Sequence, residues 1–159
     1  MAEADPHQGK SGLVHEVQEI AIRLLARREH SVRELRRKLR QRGFDEPVVA
    51  EVLEELQRQR LLSDRRFAEM YVRYRRDRGN GPIRIQAELR RRGVAEELID
   101  ATVDLQDPDW FRLLAEVREK RFGAALPRDS REWARQARFL QHRGFPAEQI
   151  RVLLREVTY

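Results

Sequence analysis

Cysteine is absent from the 159 residues. That excludes disulfide-stapled scaffolds and metal sites built from thiolates, and it fits a reducing cytoplasm, the expected location. Aromatic residues make up only 7% of the chain, and lysine is scarce too: Lys10, Lys38 and Lys120 are the only lysines among 33 basic residues. No apolar run approaches the ~18 residues of a membrane span, so no membrane association is expected. The opening residues, MAEADPHQGKSG, lack the basic-then-apolar layout of a secretory signal. Catalytic signatures are missing as well. Ser11, Ser31, Ser63 and Ser130 fall mostly at loops or helix starts, where capping accounts for them. His7, His15, His30 and His142 are scattered, with no pair at metal-ligand spacing. Arg84 stands where a dinucleotide fingerprint beginning at Gly79-Asn80-Gly81 needs its third glycine, and no Gly-x-x-x-x-Gly-Lys-Ser/Thr occurs. The expectation is a protein that is not an enzyme and uses neither metal nor cofactor.

What the chain has is charge, 38% of its residues, with a net of +6. The distribution is uneven. Residues 1–20 are net −3, residues 21–92 carry 21 basic and 11 acidic residues, and residues 93–159 carry 11 basic and 12 acidic. A basic first part joined to a near-neutral last third points to a polyanionic or acidic partner. The bland alternative is arginine used as a solvated helix former.

The helical period runs throughout and the strand period nowhere. Val17, Ile20, Ala21, Leu24 and Leu25 form one apolar stripe, and Val48, Val49, Val52, Leu53 and Leu56 another. Similar stripes run to Ile150, Leu153, Leu154 and Val157, nine amphipathic helices in all. Ser31 and Glu34 form a capping-box pattern, Asp45 is a candidate cap, and Pro82 and Pro108 sit where helices begin. Residues 1–12 are polar and without period, which predicts a disordered tail.

An internal repeat organises the rest. Leu39-Arg-Gln-Arg42-Gly43-Phe44, Leu89-Arg-Arg-Arg92-Gly93-Val94 and Leu140-Gln-His-Arg143-Gly144-Phe145 recur 50 and 51 residues apart. Each glycine is followed six and ten residues later by an aliphatic residue: Val49 and Leu53, Ile99 and Val103, Ile150 and Leu154. A period of this length signals stacked helical units. The expected fold is all-α, with three tandem three-helix repeats over 13–62, 63–106 and 107–159 forming an elongated, curved molecule. The three glycines are expected to behave alike, as left-handed helix ends.

Three helices present arginine faces, the candidate binding surface. Arg33, Arg36, Arg37 and Arg40 lie on the second helix, Arg73 and Arg76 on the fourth, and Arg84, Arg90 and Arg91 on the fifth. Guanidinium groups stay charged and grip phosphates or carboxylates through paired hydrogen bonds. A three-helix unit with a glycine turn also suggests a helix-turn-helix reader. The helix that would enter the groove, residues 45–60, opens on Asp45, Glu46 and Glu51, which argues against base reading.

The stretch from His30-Ser31 through Glu34-Leu35, Lys38-Leu39 and Gly43-Phe44 now takes on meaning beside three others. These are Leu61-Leu62-Ser63-Asp64-Arg65-Arg66-Phe67-Ala68, Gly79-Asn80-Gly81-Pro82-Ile83-Arg84-Ile85 with Glu88-Leu89, and Phe139 to Phe145 with Ile150. In this order and spacing they resemble the RecX family of bacterial recombination regulators, over roughly residues 15–157. Phe145-Pro146 departs from the family pattern, in which a polar cap is more usual. The resemblance implies a monomeric, non-enzymatic modulator that binds the RecA recombinase filament and usually inhibits its ATPase, strand-exchange and co-protease activities. It places the protein in homologous recombination, DNA repair and the SOS response. It also implies possible contact with single- and double-stranded DNA. The alternative reading is a stand-alone, sequence-independent DNA-binding repeat protein with no recombinase target, and a third is a plain helical scaffold.

Overall fold

A computed structural model describes residues 6–154. Its described residues form nine α-helices: α1 (Pro6–Arg27), α2 (Val32–Gln41), α3 (Glu46–Arg58), α4 (Asp64–Asp77), α5 (Pro82–Arg91), α6 (Glu96–Thr102), α7 (Pro108–Phe122), α8 (Ser130–His142) and α9 (Ala147–Leu154). α1 begins at Pro6, within the stretch 1–12 expected as a polar tail. Residues 1–5 and Val157 lie outside the described residues.

The recurring Leu…Arg-Gly-apolar pattern is a helix-ending device. At the end of α2 the Gly43 amide donates to Arg40 O at 3.0 Å and the Phe44 amide to Leu39 O at 3.4 Å. α8 ends the same way, with Gly144 donating to Gln141 O at 3.0 Å and Phe145 to Leu140 O at 3.2 Å. This is a Schellman motif, which needs positive φ at the glycine and brings the next apolar residue back onto the helix. φ is 92° at Gly43, 84° at Gly93 and 99° at Gly144. α3 closes with the same bonds, Arg60 to Gln57 O and Leu61 to Leu56 O at 3.0 and 2.9 Å, yet Arg60 holds φ at 60° there.

The helix starts are satisfied unevenly. Ser31 caps α2, accepting from the Glu34 amide at 3.1 Å. The other half of the capping box is not made, because the Glu34 carboxylate turns to Arg28, with Nη2 2.6 Å from its Oε1. Asp107 and Asp129 cap α7 and α8 through the Asp109 and Glu132 amides. Asp45 occupies the cap position of α3 without a side-chain bond. At Phe145-Pro146 the α9 start has the Ile150 amide donating to Pro146 O at 3.1 Å, while Phe145 is buried at 1% exposure.

The chain divides into two compact units, residues 1–68 with 92–94 and residues 69–91 with 95–159. In the first, α1 and α2 pack on α3 around Val17, Ala21, Leu35, Leu39, Val49, Leu53 and Leu56. Truncating any one of the buried leucines would cost about 2–5 kcal/mol. In the second, α8 packs on α7 and α9 around Leu114, Leu140, Phe145, Ile150 and Leu154, and Tyr71, Ile85, Leu89, Ile99 and Trp110 are buried as well.

Each unit contains one repeat-to-repeat joint. In the first, Ser31 Oγ donates to Arg92 O at 2.8 Å, and the Arg33 stem lies against Gly93. In the second, the amides of Gly81 and Ile83 donate to Arg143 O and Gly144 O at 2.8 and 3.0 Å, and Gly144 lies against the Arg84 backbone. The start of one repeat's second helix thus receives the Arg-Gly turn of the next repeat. This is why residues 92–94 group with the first unit.

Candidate functional site

Five of the nine candidate arginines are held by carboxylates of this chain. Arg36 and Arg40 share Glu46, their Nε atoms 3.1 and 3.8 Å from its two oxygens. Arg76 lies 3.7 Å from Asp109 and 3.9 Å from Asp107, and its guanidinium sits 4.4 Å over the Trp110 ring. Arg84 Nε is 3.1 Å from Glu88 Oε1, and Arg90 binds Glu96 across an exposed corner. Arg33, Arg37, Arg73 and Arg91 are exposed, with no ion pair among the described residues. Arg33 and Arg37 share one face of α2, one helical turn apart. They keep their full charge available, whereas the paired five must first give up an internal partner.

The residues that carried the family resemblance turn out to be framework. Asp64 Oδ1 accepts the Val32 amide at 2.8 Å, and Arg66 Nε reaches Glu29 at 2.9 Å. Burial raises the Asp64 carboxyl above its usual range, and the Val32 bond opposes this. Glu88 is the hub of a half-buried cluster, accepting from the Tyr71 hydroxyl, from Arg75 at 2.9 Å and from Arg84 at 3.1 Å. Burial pushes Glu88 upward, but those hydrogen bonds together outweigh it and hold the carboxylate below its ordinary value. His30, 2% exposed, has Nδ1 3.0 Å from Arg28 O and Nε2 2.9 Å from Lys38 Nζ. Burial lowers its proton affinity first, and the Arg28 and Lys38 charges lower it further.

A second cationic cluster lies in the third repeat, where the near-neutral charge count gave no reason to look. Arg121, Phe122, Arg135, Arg138, Phe139 and His142 line a pocket of about 500 Å³ between α7 and α8. The two phenyl rings meet edge to face with centroids 5.4 Å apart. Arg121 lies 5.8 and 5.4 Å from the two rings, Arg135 5.7 Å from Phe122, and Arg143 5.4 Å from Phe139. Beneath it, Arg118, 5% exposed, gathers the carbonyls of Gly123, Ala124 and Ala125 and Gln136 Oε1 at 3.2–3.3 Å. That clamp fixes the end of α7 against α8. The signal was present in the sequence as basic residues at 131, 135, 138 and 142, four, three and four apart.

Among the described residues, no group of three or more His, Asp or Glu side chains could hold a metal ion. No helix there is long and apolar enough to cross a membrane.

Residues 19–56, 63–103 and 107–154 match, in order, the family models for the first, second and third three-helix domains of RecX. The chain is 53% identical over 135 residues to the regulatory protein RecX of Halorhodospira halophila, covering 85% of this chain and 84% of that one. It is 44% identical over 138 residues to that of Pseudomonas entomophila, covering 87% and 89%. In fold it is similar to the crystal structure of RecX from Lactobacillus salivarius, with a TM-score of 0.78 and 20% identity over 92% of this chain and 97% of that one. With three ordered domains and relatives this similar, the chain belongs to the RecX family of regulatory proteins.

Proposed function

We propose that the protein binds the RecA recombinase filament and inhibits its ATPase, strand-exchange and co-protease activities without chemistry of its own. The observation that carries this reading is the presence of all three RecX domains, in order, over residues 19–154. The exposed, unpaired arginines support it. Arg33 and Arg37 on α2, Arg73 on α4 and Arg91 on α5 offer full charge to an acidic protein surface or to phosphate. A bound protein that blocks DNA entry or the subunit movement accompanying ATP hydrolysis needs no catalytic group.

The test is RecA ATPase activity on single-stranded DNA, with this protein at less than one molecule per recombinase. Inhibition is expected, and it should weaken in Arg37→Ala with Arg91→Ala while Arg36→Ala with Arg40→Ala changes it less. Arg37, Arg40 and Arg91 are exposed, and exposed substitutions of this kind cost within ~0.5 kcal/mol, so folding is retained in the Arg37 and Arg91 variant. Absence of any effect on ATPase or strand exchange at that ratio would discard the reading.

A further inference from the structure

The pocket between α7 and α8 has three features together: regular positive charge, accessible aromatic carbon and no carboxylate. Arg131, Arg135, Arg138 and His142 run along the exposed face of α8 over about 16 Å. None of the three arginines takes part in an ion pair among the described residues, unlike Arg36, Arg84 or Arg90 on the earlier repeats. Midway along this row the pocket opens, floored by the half-buried Phe122 and Phe139. Asp77 and Glu116 line a neighbouring pocket that shares Arg121 and Phe139 with this one, and Glu132 on α8 pairs with Arg128 rather than with Arg131, Arg135 or Arg138.

We propose that this face is a binding site for single-stranded nucleic acid, with phosphates following the α8 row and one unstacked base entering the Phe122–Phe139 pocket. Neighbours three and four residues apart on a helix stand about 5–6 Å apart, a regular array suited to a strand carrying one charge per nucleotide. The guanidiniums lie 5.4–5.8 Å from the rings, looser than Arg76 over Trp110 at 4.4 Å, so they rim the aromatic surface without closing over it. The volume lies within the ~300–1,000 Å³ of small-ligand pockets. A duplex keeps its bases stacked and has none to offer. An acidic peptide would match the charge but would leave the aromatic floor without a planar partner. This inference stands apart from the filament reading, because it concerns the purified chain with no recombinase present.

The experiment is fluorescence anisotropy of the full chain with labelled oligo(dT) of twelve nucleotides, an abasic twelve-mer, a twelve-base-pair duplex and a twelve-residue polyglutamate. Oligo(dT) should bind tightest. Arg135→Ala with Arg138→Ala should weaken it about tenfold and flatten the log-affinity against log-salt slope by about 1.4, the loss of two single-strand phosphate contacts. Phe122→Leu should weaken oligo(dT) at least about fivefold, from lost base stacking, and leave the abasic strand unchanged. Arg135→Gln with Arg138→Gln keeps the aliphatic stems, so a fold defect in the alanine pair can be told from lost contacts. The proposal fails if oligo(dT) does not bind, or if the arginine variants bind as wild type. It also fails if the abasic strand matches oligo(dT), or if polyglutamate binds as tightly, which would make the face an acidic-peptide site. Loss of oligo(dT) binding with intact ATPase inhibition separates this site from the filament reading.

Discussion

At Gly43 φ is +92° and an added Cβ would meet nothing within 4 Å; at Gly144 φ is +99°, an added Cβ would collide with Arg84 Cβ, and the Arg84 amide nitrogen and Cα would stand 2.7 and 3.0 Å away. The two turns share a sequence pattern and a hydrogen-bond pattern, and their surroundings differ. Gly43 ends a helix, whereas Gly144 ends a helix and also lets the next repeat's backbone touch the start of α5. The first role needs a tolerant φ, and the second needs the absence of a side chain as well. Gly144→Ala should therefore lower stability by about 3 kcal/mol or more, combining backbone strain with a clash against main chain that cannot rotate away. Chemical denaturation followed by Trp110 and Trp133 fluorescence, both within the second unit, measures it. A loss near 1 kcal/mol would mean the joint gives way easily and that the two turns differ little.

Gly93 should fall between the two. Its added Cβ would meet Arg33 Cδ at 2.6 Å and Cβ at 2.8 Å, side-chain atoms rather than main chain. Gly93→Ala should cost about 2 kcal/mol. Combining it with Arg33→Ala removes the colliding Cδ and should recover part of that loss, a coupling a double-mutant cycle reads directly. The matching cycle of Gly144→Ala with Arg84→Ala should show no such recovery, because alanine keeps both the Arg84 backbone and the Cβ that collide. Equal couplings at both joints would erase the distinction between a side-chain and a main-chain contact.

These differences mark where the sequence could and could not be read. Helix number, the apolar stripes and the positive φ of all three glycines follow from local periodicity and a local steric rule. The joints depend on Ser31 meeting Arg92 and Gly81 meeting Arg143, contacts 61 and 62 residues apart that no local pattern encodes. The family resemblance was carried by Ser31, Asp64, Arg66, Gly81 and Glu88, which proved to build the framework. Net charge and available charge differ in both parts of the chain. The +10 of residues 21–92 includes arginines tied to Glu46, Glu88 and Glu96, while the near-neutral last third carries Arg131, Arg135 and Arg138 on α8 with no ion pair among the described residues, Glu132 being held by Arg128. Net charge counts residues; available charge depends on which partners the fold supplies.

The two units should also separate on acidification. His30 in the first unit has its proton affinity lowered, so the unfolded chain binds the proton more readily. Its contribution to stability is full above about pH 6.5 and is lost as pH falls through the lower folded value. Glu88 in the second unit is a carboxylate held below its ordinary value, so its contribution persists to about pH 4.5 and is lost only below that. Glu34 in the first unit behaves like Glu88: burial raises it, and the Arg28 hydrogen bond together with the Arg28, His30 and Lys38 charges outweighs that, leaving it lowered. Amide hydrogen exchange between pH 7 and 5 should show α2 losing protection while α5 and α8 hold theirs, after correction for intrinsic rates. In His30→Gln that difference should shrink. A first unit indifferent to pH over this range would show that His30 does not titrate with folding.

The smallest effects lie at the uncrowded helix ends, where only φ is at stake. Gly43→Ala should cost about 1 kcal/mol, since positive φ penalises a Cβ and nothing else is displaced. The converse change exists at Arg60, which takes the glycine position of the α3 Schellman turn with φ of 60° and an exposed side chain. Arg60 contributes its carbonyl to Arg66 Nη1 at 2.7 Å, and any residue would supply that group. Arg60→Gly removes the steric penalty but increases the freedom of the unfolded chain, so the two effects partly cancel. The expected result is a gain of about 0.5 kcal/mol, read as a higher urea midpoint with an unchanged slope. A loss would mean that the arginine side chain outweighs the strain of its backbone, and that left-handed ends in this fold do not follow one steric rule.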